Sequence, residues 1–409
     1  MQTRPVVMLG IGQCVNWGVL YYAFPVLLLP VERDLAVARW MVTGAFSFAL
    51  LMSAVLAPTI GRWSDRGRGP LVMQAGGFAA AGLLCLWALV PSTTTLYVAW
   101  AGLGLCMAAI LYEPAFAVVG RAHAQPTARL RALATVTVFG GLASTVFMPL
   151  TAFLVDRLGW RASVGILAGV LATSTGLSRI LAFRRLSSET IASVSDSPLP
   201  DSGERTGPGP EFRSLSMAFA LASLAAAAFT ANLVPALGEQ GVSPTAAAMF
   251  GGLLGVMQLP GRIVLMNGSM AGSPARLVVV SLLLQGAGLA TVALAHTASI
   301  VAGGVAIFAV GAGIGTLVRP HLVQTIYGTE TAGHLNGRLA RAQQLARASG
   351  PIAAAWLAAA VGYGMVIGLL AITLAAAALA SHRALHRKRP SFTLERSRHD
   401  RTEHAPISG

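Results

Sequence analysis

Charge is scarce in this sequence. Asp, Glu, Lys and Arg together make up 11% of it, against about a quarter in an ordinary globular protein. Lys388 is the only lysine. A water-facing surface needs more ionised side chains than this, so a soluble globular domain is excluded. Cysteine is scarcer still: Cys14, Cys85 and Cys106 form an odd, widely spaced trio inside apolar runs. That spacing excludes a disulfide framework and a thiolate metal site, and leaves buried free thiols. No Gly-x-x-x-x-Gly-Lys-Ser/Thr loop occurs that would mark ATP drive. The eight histidines contain no His-Glu-x-x-His run and mostly fall between apolar stretches or in the tail. The sequence therefore implies no metal, no cofactor and no enzyme chemistry.

What fills the chain is apolar residue, 55% of the total. It is gathered into about a dozen runs of roughly the 20 residues that a helix needs to cross a bilayer at 1.5 Å per residue. The spans are expected at 6–29, 41–60, 71–90, 96–120, 132–155, 161–182, 214–237, 245–266, 275–296, 298–320, 337–361 and 363–382. Outer-membrane strands read as alternating segments of about 10 residues; these runs are longer and continuous, so helices are expected. The 45 glycines suit helices that pack closely without a hydrophobic force between them. The fold class predicted is an all-α polytopic membrane protein, 12 transmembrane helices in two six-helix bundles.

The formal net charge of +14 raises the question of a nucleic-acid partner. Its placement answers it. Arginines concentrate in the intervals after every second span (Arg62, Arg66 and Arg68; Arg121, Arg129 and Arg131; Arg184 and Arg185; Arg338 and Arg341; the tail Arg383 to Arg401) and are sparse in the alternate intervals. This is the positive-inside pattern. It predicts both termini on the cytoplasmic side, a basic tail at the lipid headgroups and no nucleic acid. The run after Arg4 lacks a small-residue cleavage site and reads as a retained first helix. The near-exclusive use of Arg over Lys suggests a GC-rich bacterial gene, hence a bacterial inner-membrane protein.

Between Phe183 and Arg213 the chain turns rich in Ser, Pro and Gly with charges of both signs, the composition of a flexible linker. The domains expected are 1–182, a first six-helix bundle; 183–213, the cytoplasmic linker; 214–384, a second bundle; and 385–409, the basic tail. The halves echo each other. Ala57-Pro58-Thr59-Ile60-Gly61-Arg62 closes span 2 and Leu259-Pro260-Gly261-Arg262 closes span 8; Glu113-Pro114 in span 4 matches Arg319-Pro320 in span 10; Leu158-Gly159-Trp160 matches Val361-Gly362-Tyr363. Two parallel repeats with a site between them near the midplane are a transporter architecture.

On these residues the chain resembles the major facilitator superfamily over essentially its whole length. The motif that carries the likeness best is Gly61-Arg62-Trp63-Ser64-Asp65-Arg66-Gly67-Arg68 between spans 2 and 3, which departs from the family pattern by one deleted residue after Arg66. Trp17-Gly18-Val19-Leu20-Tyr21-Tyr22-Ala23-Phe24-Pro25 with Glu32-Arg33-Asp34-Leu35 is loosely similar to the monocarboxylate and oxalate–formate branch. The Gly-Pro motif of drug antiporters is not matched, since seven residues separate Gly141 from Pro149. The resemblance implies that Gly61, Asp65 and Arg66, with Arg121 at the end of span 4, form a conformational latch.

Ionisable groups inside a span cost about 2.5–3.5 kcal/mol and normally face a partner or a watery cavity. Arg347, about 11 residues into span 11, is the candidate for holding an anion through its forked guanidinium, with Gln343 one turn before it. Glu113 and Arg319 are expected either to couple a proton, through a carboxyl shielded from water, or to form an intramembrane ion pair. Gln13, Asn16, Trp17 and Tyr21 share one helical face of span 1 and are expected to line the substrate cavity. Trp17, Tyr21 and Tyr22 would equally serve as interface anchors. The function expected is secondary active transport of a small organic solute by alternating access, proton-coupled, with a small carboxylate as the substrate class, by a monomer in the lipid bilayer. The alternatives are efflux of neutral or cationic lipophilic compounds and, more remotely, a membrane sensor that transports nothing.

Overall fold

The computed structural model describes residues 3–89, 92–122, 126–183, 210–266 and 274–386. Among them every regular element is a helix, and nine helical stretches are long and apolar enough to cross a membrane. One of these, Ala132–Ala182, is 51 residues long and holds the expected spans 5 and 6. Gly159 divides it with φ 76° and ψ 167°, a backbone region that only glycine enters without strain. The helix Pro244–Met266 and the last part of Ala298–Val361 fall where spans 8 and 11 are expected. The linker 184–209 lies outside the described residues.

The sequence echo between the halves reappears as matched turn chemistry at the end of the bundles opposite the termini, the far end. Gly362, between spans 11 and 12, adopts φ 79° and ψ 156°, the twin of Gly159. Ala36 closes the turn between spans 1 and 2 at φ 52°, and Gly241 the turn between spans 7 and 8 at φ 79°. Ser92 caps span 4 by accepting from the Thr95 amide, and Thr297 caps span 10 by accepting from the Ile300 amide, both at 3.4 Å. Two residues before each left-handed turn residue stands an acid that ties down the other glycine turn. Asp34 accepts from Arg161 at 2.6 Å, and Glu239 accepts from the Tyr363 amide at 2.7 Å.

One boundary differs from expectation. Ala298–Val361 is helical without interruption, so residues 321–336, expected as a loop between spans 10 and 11, are helical too. After Pro320 that stretch contains no second proline to stop a helix, and its two arms both lie in the second bundle. The Ser281 hydroxyl donates to Gly311 in one arm, and Asn232 reaches Pro351 in the other.

The bundles meet along two seams, span 2 against span 11 and span 5 against span 8. Each seam carries a hydrogen bond: the Ile352 amide donates to Ser47 Oγ at 3.1 Å, and Thr145 Oγ1 donates to the Gly252 carbonyl at 2.7 Å. Glycine makes the second seam possible. A Cβ on Gly255 would stand 2.7 Å from the Gly141 carbonyl oxygen, and one on Gly252 3.2 Å from the Pro149 ring. Such close backbone approach is how membrane helices gain dispersion energy where no hydrophobic effect acts. Both seams, and the Arg39 guanidinium lying 5.9 Å from the Tyr363 ring centre across the halves, occupy the far end.

Candidate functional site

A cavity of about 360 Å³ separates the bundles on the terminal side of these seams, the size of a pocket for one small molecule. Its two walls differ. The first bundle contributes Trp17, Tyr21, Tyr22, Tyr112 and Phe116, with Glu113 among them; the second contributes Arg347, Gln343, Gln344, Gln258 and Thr316, with Phe308, Leu254 and small residues between them. The rings pack on one another: Trp17 and Tyr112 have centroids 5.0 Å apart, Tyr112 and Phe116 stack at 5.1 Å and 13°, and Tyr21 and Tyr22 meet edge-on at 5.2 Å.

Two helix defects, both at prolines, build the aromatic wall. Pro25 has no amide hydrogen to give to the fourth carbonyl before it. Span 1 accommodates this with a wide π turn over Gly18–Tyr22, in which the Ala23 amide donates to the Gly18 carbonyl at 2.8 Å. The widened turn changes the helical register, and Tyr21 and Tyr22, about 100° apart on a regular helix, both line the cavity. Pro114 acts likewise in span 4. The helix breaks at Leu111 (φ −76°, ψ −159°), and the Ile110 carbonyl, four residues before the proline, loses its helical partner.

That carbonyl explains two residues of span 1. Gln13 Nε2 and Asn16 Nδ2 both donate to Ile110 O, at 2.7 and 2.9 Å. Leaving a buried carbonyl unbonded costs about 1–3 kcal/mol, so these amides hold the break together. Gln13 and Asn16, expected to line the substrate cavity, do not; they stand behind its wall and fix the helix that carries Tyr112 and Glu113. Trp17 and Tyr21 do line it.

Arg347 and Gln343 line the opposite wall as expected, with the Gln343 amide 3.5 Å from the Phe219 carbonyl. Arg347 is within electrostatic reach of the Tyr21 phenol across the cavity. Glu113 also lines the cavity, where it is exposed rather than shielded as expected. The ion pairs among the described residues are Arg39–Glu32, Arg157–Asp156 and Arg161–Asp34, so Glu113 and Arg347 are not joined to each other. The side chain of Arg319 lies outside the described residues.

Of the expected latch, the side chains of Asp65 and Arg121 likewise lie outside the described residues. The turn itself is seen: Gly67 adopts φ 82°, Arg66 is exposed, and a Cβ on Gly69 would stand 2.8 Å from Val118 of span 4. The end of the motif therefore packs on the helix Tyr112–Ala122, which carries Arg121.

Tyr112, Phe116, Gln344 and Thr316 were not singled out in the sequence, and Tyr22 was read only as an interface anchor. The spacing of Tyr112 and Phe116 around Glu113-Pro114 was a usable signal, since residues four apart share a helix face. No periodicity could have found Tyr22, because the π turn breaks the period.

The sequence profile of the Major Facilitator Superfamily matches residues 9–348. No curated protein matches the chain. Among solved structures, two crystal structures of a bacterial homologue of the human lysosomal transporter Spinster are similar. The inward-facing unoccupied form has a TM-score of 0.72 and the inward-facing occupied form 0.69; each is 14% identical, over 95% of this chain and 98% of theirs. At that identity the likeness speaks for the fold.

Proposed function

Since the chain belongs to the major facilitator superfamily and is a multi-pass membrane transporter, we propose that it carries a small organic anion with a flat apolar body, such as an aromatic carboxylate. The observation that carries this reading is the asymmetry of the cavity. Arg347 presents donors shaped for a carboxylate on one wall, and five packed aromatic rings face it on the other. Around Arg347, Gln343, Gln344 and Gln258 supply neutral polar groups that orient a head group without cancelling its charge. The Trp17 indole N–H is buried and has no acceptor among the described residues; a ligand oxygen there would satisfy it.

The cycle is alternating access, with the two bundles rocking about the cavity. The far end is closed by the two seams and by Arg39 on Tyr363, so the conformation corresponds to one open toward the termini. With the arginine-rich side cytoplasmic, this is an inward-facing state of a bacterial inner-membrane protein. Glu113, exposed in the cavity in this state, would exchange a proton when closure in the opposite state shields its carboxyl from water. The Gly61–Arg68 turn, with Asp65 toward Arg121, would latch the opposite state; Asp65→Ala is expected to slow transport while the protein still reaches the membrane.

The deciding experiment is uptake into proteoliposomes of labelled aromatic and aliphatic carboxylates, with and without a pH gradient, for wild type and Arg347→Ala. Gradient-stimulated uptake of the aromatic acids, lost in the variant, supports the reading. Uptake unaffected by Arg347→Ala overturns the role of the arginine. A second reading, efflux of a lipophilic cation, draws on Glu113 amid Tyr and Trp faces, which attract cations. Transport of such cations that is abolished by Glu113→Gln and untouched by Arg347→Ala would establish it instead.

A further inference from the structure

A second, much smaller pocket lies inside the first bundle, between spans 1, 3 and 6, in the half of those spans nearest the termini. Its polar lining comes from Gln13, Asn16, Ser174, Thr175 and Ser178, and its volume of about 20 Å³ holds one water-sized guest. Two glycines let the helices close on it: a Cβ on Gly12 would stand 3.0 Å from Ser178 Oγ, and one on Gly77 would collide with Thr175.

The pocket has an excess of acceptors. The Ile110 carbonyl can only accept, so both amides that reach it must present nitrogen to it. Their oxygens are left as pure acceptors. Gln13 is fully buried, and its Oε1 has no partner among the described residues. Thr175 uses its hydroxyl hydrogen on the Leu171 carbonyl at 2.8 Å, which leaves only lone pairs on that oxygen. Three oxygens thus have nothing to donate, and only the two serines remain adaptable. A water brings two hydrogens for the three; a single cation meets all three oxygens at once and leaves the serine lone pairs free to join it. No carboxylate lines the pocket, and the cost of burying an ion without a counter-charge grows steeply with its charge, which favours a monovalent guest over a divalent one.

We propose that this pocket binds one small monovalent cation, for which Na⁺ is the natural probe, and that its occupancy is coupled to the central cavity. The coupling path is short. The same two amides that would face the ion hold the break in span 4, and the next residues after that break, Tyr112 and Glu113, line the cavity. Fixing Gln13 and Asn16 fixes that wall, and by linkage a ligand that selects the wall raises ion affinity by the same factor. The coupling rests on the transporter reading; the ion site does not.

The test separates the two. Purified protein in choline chloride is titrated with NaCl at constant ionic strength, without substrate, while melting temperature and ²²Na⁺ binding are followed. A saturable stabilisation and stoichiometric binding are expected, with half-saturation weakened about tenfold or more in Thr175→Val and in Ser178→Ala, variants that keep side-chain size and leave the Ile110 bonds intact. No saturable Na⁺, Li⁺ or K⁺ response in wild type, or a full response in both variants, overturns the site and leaves a buried water there. With the site established, Na⁺-dependent uptake lost in Thr175→Val supports coupling. Uptake indifferent to Na⁺ overturns coupling alone, and failure of all uptake in protein that binds Na⁺ overturns the transporter reading instead.

Discussion

The two bundles agree where they meet solvent at the far end and disagree where they face each other. Gly159 and Gly362, Ala36 and Gly241, Ser92 and Thr297, Asp34 and Glu239 do the same backbone work in each half. Across the cavity the walls differ: mostly rings and an acid on one, amides and a guanidinium on the other. Turn chemistry is constrained by backbone geometry that both halves share, so it persists in both. A binding wall is constrained by the ligand, and a ligand with unlike ends needs unlike walls. The far-end tethers show a second contrast. Arg161 ties Asp34 and the Ala88 carbonyl within one bundle, whereas Arg39 lies on Tyr363 of the other and helps to close the gate.

The largest effect is expected where the two halves touch. Gly255→Leu would drive a side chain into the Gly141 backbone; overpacking costs about 1–3 kcal/mol or more, enough to prevent far-end closure. Transport should fall close to zero. An impermeant thiol reagent added from the far side should then label Ser53→Cys, a cavity position, in a background without Cys14, Cys85 and Cys106. Unchanged labelling would mean that the seam is not the gate. Glu113→Gln breaks the asymmetry of the walls more gently: substrate binding should persist while stimulation by a pH gradient disappears. Stimulation that survives would free Glu113 from coupling.

Arg39→Ala removes the guanidinium that lies 5.9 Å from the Tyr363 ring centre across the halves and so loosens the gate side of the comparison. One such contact is worth about 1 kcal/mol, roughly a fivefold shift toward the state open at the far end, readable in the same labelling assay. Arg161→Ala should do least. The pair with Asp34 is 38% exposed on both sides, and pairs exposed to this degree contribute about 0.2–1 kcal/mol after screening. It should lower the melting temperature slightly and leave the sidedness of labelling alone. A change of sidedness would show that the tether within one bundle also sets the state.

The legible part of this protein was set by composition and period. Runs of about 20 apolar residues admit only membrane helices, because an unpaired backbone amide in lipid is too costly for any other form. Arg347 could be found in the sequence because a guanidinium inside a span requires a reason to be there. Gln13 and Asn16 were found for the same reason and placed on the wrong surface, because polarity shows that a residue needs a partner and not which partner it has. Their partner, the Ile110 carbonyl, becomes available only through Pro114, and nothing local to span 1 records a proline in span 4. Tyr22 was hidden because a π turn displaces the helical period that the sequence analysis relied on. By itself, the sequence determined the membrane, the helices, the repeat and the charges that had to be accommodated. Only the tertiary structure decided which polar groups met backbone, which met the cavity and which end was shut. Those outcomes depend on contacts between residues far apart in the chain, made where two proline breaks and a few glycines let helices approach.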